Sequence, residues 1–333
     1  MTKTAVVLFN MGGPDDLSAV KPFLFNLFND KAIIAAPKPI RWALAKYISA
    51  KRAPIAREIY ARIGGRSPLL EQTERQAKAL KERLGPDHDC FIAMRYWHPF
   101  LEDTARRVAD YRPDRVVLLP LYPQFSTSTT GSSFTGWEKA GASLPEPARI
   151  CCYPELPGLA QAFAEGIREA LVEASRFGLP KLLFSAHGLP KSLILKGDPY
   201  QSQIERTAAA ILKALGEHVD SQICYQSRVG PMEWIGPETI LEIKAAGAKR
   251  QPVIVAPLAF VSEHSETLVE LDIEYRHLAE LAGVPCYLRV ATPVDHPAFI
   301  ADLADLVNQA KTGTGPGGAH CRGGFKRCPG AHL

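Results

Sequence analysis

No stretch of this chain approaches the roughly 18 uninterrupted apolar residues that mark a membrane-spanning helix. Charge of one sign is also scarce: 39 Lys and Arg against 35 Asp and Glu leave a net +4 over 333 residues. That is too little for a nucleic-acid footprint, so no nucleic-acid partner is expected. The loop after the first strand lacks the G-x-G-x-x-G spacing and any Walker lysine. Its sequence, Asn10-Met11-Gly12-Gly13-Pro14, has another spacing, which argues against nicotinamide and ATP chemistry. No targeting segment is visible either, because the opening apolar run is too short for a signal-peptide core and has no small-residue cleavage site. A cytoplasmic setting follows, where thiols stay reduced and an odd count of seven cysteines is unremarkable.

What is present reads as globular. Apolar residues make up 46% and charged residues 22%, which excludes wholesale disorder and collagen-like repeats. Short β-branched apolar runs alternate with helical patterns. Strands are predicted at 4–9, 89–94, 115–120, 148–153, 181–186, 221–226, 252–258 and 285–290. Helical patterns fall near 16–28, 39–50, 54–63, 69–84, 100–111, 156–175, 199–215, 237–246, 265–281 and 296–310. Strands alternating with helices predict parallel sheets. Divided at residue 158, they form two doubly wound α/β halves, 1–158 and 159–310, with a cleft between them and ligands at the carboxyl ends of strands. A closed eight-stranded barrel is the alternative, poorly suited to the irregular helix-rich stretch 16–85. Residues 311–333 form a Gly-rich tail that carries basic but no acidic residues and shows no hydrophobic period.

The informative residues lie where strands run out. His187 follows the fifth strand, with Gly188 and Pro190 forcing a turn; such a histidine either points into a cleft or caps and packs. After the seventh strand comes His264, and then Glu266, Glu270 and Glu274 at a spacing of four. Leu268, Leu271, Tyr275 and Leu278 form the opposing apolar stripe. The acidic stripe is either a solvated face or a set of carboxylates that raise one another's pKa and hold protons or a cation. Imidazole with carboxylate suits ferrous iron. The Ser/Thr-rich loop in 120–133 opens a helix and suits an anion, or is ordinary N-cap chemistry. Apolar bulk at 23–34 and Trp234 in a Gly/Pro-bounded loop suggest a large flat apolar ligand. Arg52, Arg95, Tyr96 and His98 could supply charge or hydrogen bonds to its acidic edge, or be surface and structural residues.

FSAHGLPKSLILKGDPY (184–200) and FVSEHSETLVELDIEY (260–275) resemble the ferrochelatase signatures. NMGGP, YARIGGRSPL, MRYWHP, YPQFSTSTTGSS and YQSRVGPMEWIGP occur in that family's order, so the resemblance covers residues 3 to 310. It implies two Rossmann-like halves and insertion of Fe2+, as substrate, into protoporphyrin IX to form haem. The alternatives are a coproporphyrin ferrochelatase, or a non-catalytic tetrapyrrole or iron carrier of the same fold. By resemblance, His187 and Glu266 are the catalytic and metal-handling pair, and His264, Glu270 and Glu274 line a polar path beside them. Met11, Arg52, Tyr60, Ser67 and Trp234 would contact the porphyrin. Peripheral contact with the inner membrane is compatible with the composition, although no separate amphipathic anchor is evident. Monomer and homodimer both stand.

Cys90, Cys224 and Cys286 lie in strand patterns and read as small buried hydrophobes. Cys151 and Cys152, with Cys321 and Cys328 of the tail, are candidate ligands of a [2Fe-2S] cluster, since some ferrochelatases carry one through a C-terminal extension. The animal-type tail spacing is absent, however, and Thr127 stands where that type has its upstream cysteine. A zinc site and no metal are the competing readings.

Overall fold

All seven residues of β1 (Thr4–Asn10) are buried, as expected of a strand covered by helices on both faces. The computed structural model describes residues 2–228, 232–310 and 325–329. Two compact units emerge. The first holds Met1–Cys152 and the end of the last helix from Ala304 onward; the second holds Tyr153–Leu303 with residues 325–329. The division falls at 152/153, where the alternation of strands suggested 158/159.

In the first unit β1 is followed by α1 (Val20–Phe28), α2 (Lys38–Ala61), α3 (Leu69–Leu84), β2 (His88–Met94), α4 (Leu101–Tyr111), β3 (Arg115–Pro120), α5 (Thr130–Ala140) and β4 (Ala148–Arg149). The strands pair in parallel in the order β2-β1-β3-β4. Val7, Phe9, Phe91, Leu118, Phe134 and Trp137 form much of one core cluster. Each such buried side chain contributes about 1.5–3 kcal/mol relative to exposure. The helical patterns at 39–50 and 54–63 prove to be one helix running through Pro54. The proline leaves the carbonyl of Ala50 without its helical partner, and Ala50 is exposed, so water can take that bond.

The second unit contains α6 (Pro157–Ala174), β5 (Lys181–His187), α7 (Lys191–Leu195), α8 (Tyr200–Leu215), β6 (Ser221–Gln226), α9 (Thr239–Ala248), β7 (Val253–Ala256), a π-helix (Glu266–Tyr275), α10 (Arg276–Ala282), β8 (Tyr287–Arg289) and the part of α11 (Pro297–Gln309) up to Leu303. Its sheet is also parallel, with the order β6-β5-β7-β8. Helix α6 packs on β7 and β8, which places the chain from Tyr153 onward with this unit. Two open four-stranded sheets replace the barrel alternative. Among the described residues no helix is long and apolar enough to cross a membrane.

In each sheet the first strand lies between the second and the third, so successive connections leave it in opposite directions. Ligands of open α/β sheets bind at that switch point, outside the carboxyl ends of the strands. The segments found there are 10–14 and 121–133 in the first unit, and 187–190 and 257–266 in the second. These are the stretches that carry the sequence motifs.

Candidate active site

His187 is the last residue of β5 and pairs in register with Gln226 of β6. The turn that follows is tight. A Cβ on Gly188 would lie 3.0 Å from the Gln226 carbonyl and 3.3 Å from the Trp234 ring, so only glycine fits without displacement. The Gly188 N–H donates to Gln226 O at 2.9 Å, and Tyr200 donates its hydroxyl to His187 O at 3.1 Å. The backbone under the imidazole is therefore fixed from both sides.

His187 Nδ1 lies 2.8 Å from Glu266 Oε2. A carboxylate only accepts, so Nδ1 carries the proton and Nε2 the lone pair. Among the described residues Nε2 has no hydrogen-bond partner, and the side chain is 39% exposed. Burial works against the imidazolium, but the Glu266 carboxylate in contact with it, backed by Glu270, prevails and raises the His187 pKa above its ordinary value. Glu266 moves the opposite way: burial opposes its charge, but His187 and the Ser227 hydroxyl hold it well below the usual carboxylate range.

The acidic stripe is carried by a π-helix, where an α-helix was predicted. Bonding from i to i+5 widens the turn, so residues four apart stand more nearly in line. Only part of the stripe belongs to the site. Glu270 is partly buried: its Oε1 accepts from the Ser227 N–H at 3.0 Å and from the Tyr275 hydroxyl at 2.8 Å, and its Oε2 meets the Ser227 hydroxyl. Burial and the neighbouring Glu266 charge raise its pKa. The single Ser227 hydroxyl proton serves only one of Glu266 and Glu270 at a time. Two neighbouring carboxylates with opposed shifts divide the tasks of holding charge and holding a proton. Glu274 lies on the exposed face. His264 is buried, which lowers its pKa, and it accepts the Glu266 backbone N–H at Nδ1 (3.0 Å) as a neutral ring.

The π-helix is anchored from behind. Arg289 of β8 grips Asp272 at 2.7 and 2.8 Å and Glu263 at 2.8 Å, a planar fork satisfied by two carboxylates. Leu271 and Tyr275 bury in the core with Val255 and Tyr287.

Trp234 rests against Gly188, joined to Pro190 by an isolated bridge. Its indole N–H is buried and has no hydrogen-bond partner among the described residues. In the first unit, Met11 packs on an apolar cluster that contains Tyr60, Phe23, Leu24 and Tyr96. Ser67 donates its N–H to Pro14 O at 2.8 Å and rests on Gly13, where any Cβ would overlap its side chain. Arg52 is exposed, its guanidinium 5.9 Å from the Phe28 ring centre. Sequence reasoning missed Ser227 and Gln226. The only signal was their place at the end of a strand beside Trp234.

The four cysteines do not assemble a cluster site among the described residues. Strand β4 ends at Arg149, and Cys151 and Cys152 lie in the apolar core with their sulfurs 3.5 Å apart. Cys328 is buried in the second unit, in a segment whose Arg327 N–H donates to Gly197 O at 3.1 Å. Cys321 lies outside the described residues. No group of three or more His, Cys, Asp or Glu among the described residues is arranged to hold a metal ion.

The fold is shared with solved chelatases. The sirohydrochlorin chelatase SirB of Bacillus subtilis subspecies spizizenii, in complex with cobalt, superposes with a TM-score of 0.50 at 10% identity, over 92% of this chain and 94% of its own. DR2241 of Deinococcus radiodurans, described as similar to chelatases, also gives 0.50, at 14% identity over 94% of this chain and 56% of its own. At such identities the likeness concerns the fold alone. Sequence relatives are much nearer. Ferrochelatase of Caulobacter vibrioides strain NA1000 / CB15N is 52% identical over 98% of this chain and 97% of its own length. That of Phenylobacterium zucineum is 50% identical over 99% and 96%. The family model described as Ferrochelatase matches residues 3–311. With that match along nearly its whole length, the chain belongs to the ferrochelatase family.

Proposed function

We propose that this protein inserts Fe2+ into protoporphyrin IX, releasing two pyrrole protons and forming protohaem. The observation that carries the proposal is the His187–Glu266 pair at a strand end: Nδ1 engaged by a carboxylate, Nε2 open, and a raised pKa. Such a ring takes a pyrrole proton at Nε2 near neutral pH, and Glu266 stabilises the imidazolium that results. Glu270, bridged to Glu266 through Ser227, offers a further place for the proton, with neutral His264 beside the same helix start. Metal entry also requires the macrocycle to be buckled, and binding energy from its remote parts supplies that strain. Trp234, Met11, Tyr60 and Ser67 are the proposed contacts to the ring, and Arg52 is the proposed partner of a propionate.

Anaerobic incubation with Fe2+ and protoporphyrin IX, followed by absorbance, tests this reading. Appearance of the haem spectrum supports it. Porphyrin binding without insertion means a carrier, and insertion only with coproporphyrin changes the substrate.

We also propose peripheral contact with an anionic lipid surface through α2. Ile40, Trp42, Tyr47 and Ile55 are exposed on it, Tyr47 at 66%. Lys38, Lys46 and Lys51 are exposed beside them, and no acidic residue occurs between Asp30 and Glu58. Apolar and aromatic side chains among uncompensated lysines are the composition that membrane interfaces attract.

A further inference from the structure

Ser227 is the point where the two inward carboxylates of the π-helix meet the sheet. It follows the last residue of β6 with φ at 62°, in the left-handed region that a serine adopts only when its surroundings impose it. From that backbone its N–H reaches Glu270 Oε1 at 3.0 Å, while its hydroxyl lies 3.1 Å from Glu266 Oε2 and also touches Glu270 Oε2. Glu266 Oε2 is the same atom that receives His187 Nδ1. Like-charged carboxylates four apart on one helix repel one another. A single residue from another element therefore ties both to the end of the strand that neighbours His187.

We infer that Ser227 is a positioning residue for metal insertion: its left-handed backbone and its hydroxyl hold Glu266 against His187 with Glu270 alongside. The inference rests on the proposed insertion chemistry, but the geometry it describes exists without substrate. Neighbouring contacts do not replace the bridge. Gln226 reaches Glu266 Oε2 only at 3.5 Å, and Tyr275 engages Glu270 alone. Loss of the hydroxyl frees Glu266 to leave the imidazole, and misplacement of a catalytic group by about an ångström costs up to ~100-fold in rate.

Two substitutions separate hydroxyl from backbone. Ser227→Gly removes the hydroxyl and relaxes the left-handed conformation; Ser227→Ala removes the hydroxyl and keeps the strain. Both are expected to lower kcat by ~10-fold or more with the porphyrin KM unchanged, a split that general loosening of the fold does not produce. A glycine variant with wild-type kcat, or with a loss confined to KM, overturns the inference. A second readout is independent of turnover: the NMR signal of the His187 ring nitrogens, expected to shift in the glycine variant. If the wild-type chain inserts no iron, the functional reading falls, whereas a shifted ring signal still upholds the role of Ser227 and an unshifted one overturns it.

Discussion

The Nδ1 atom of His187 and Oε2 of Glu266 are 2.8 Å apart, although 79 positions separate the two residues in the chain. One ends a strand and the other opens a π-helix, so the contact is made by the sheet's topology. It leaves one imidazole nitrogen engaged and the other ready for a proton.

Substitution of His187 by alanine is expected to lower iron insertion by ~100-fold or more, the range of a positioned general base, while porphyrin fluorescence quenching still reports binding. Glu266→Gln should show a comparable loss. Near-normal insertion by His187→Ala with porphyrin bound would refute the assignment.

The pair also makes stability depend on pH. Glu266 raises the folded-state pKa of His187 above its unfolded value, about 6.5. The folded protein thus holds this proton more tightly. The resulting stability is complete below the unfolded pKa and is lost as pH rises through the folded one. Urea midpoints across that alkaline flank should fall in the wild type, and this component should be missing in Glu266→Gln. Insertion should run the other way, rising as the imidazole gives up its proton.

Arg289 is 10% exposed and neutralises both Asp272 and Glu263. Arg289→Ala leaves two largely buried carboxylates without their cation and is expected to cost about 3–5 kcal/mol in denaturant unfolding. The exposed Lys191–Glu233 pair provides the contrast: Lys191→Ala should cost less than about 1 kcal/mol.

Gly13 supports Ser67 by having no side chain. Gly13→Ala is expected to destabilise the protein by about 1–3 kcal/mol through overpacking and to weaken porphyrin binding, both measurable by titration of the folded variant.

Vesicle sedimentation tests helix α2. Lys46→Gln should weaken binding to anionic vesicles by ~5-fold, the worth of one surface cation, and leave binding to neutral vesicles unchanged. Trp42→Ala should weaken both. Equal binding by all three proteins would remove this surface from consideration.

Much of this arrangement was legible in the sequence. Runs such as TAVVLF and RVVLLP mark their strands almost to the residue, because strands buried on both faces leave little ambiguity of pattern. His187 was legible as a histidine at a strand end, and Glu266 as the first of three glutamates spaced four apart in the helix that follows. The π-helix was not: its residues fit an α-helical stripe equally well, and its anchors, such as Arg289 to Asp272, come from a strand distant in sequence. Ser227 was hidden for a related reason, since nothing in YQSRVG announces a left-handed serine. Helix α2 likewise read as two helices because propensity disfavours Pro54, and only the exposure of Ala50 shows why the break is avoided.

The same strand permutation occurs twice in the chain, β2-β1-β3-β4 and β6-β5-β7-β8. In each half the central first strand is seven residues long and closes on a polar residue, Asn10 in one and His187 in the other. One address has thus been written to in two dialects. Asn10 donates to Thr73 at 3.1 Å and is followed by an apolar methionine; His187 meets a carboxylate and can change its charge. A grafted proton-transfer dyad would therefore be sought at Asn10 first, where the backbone already occupies the corresponding strand end.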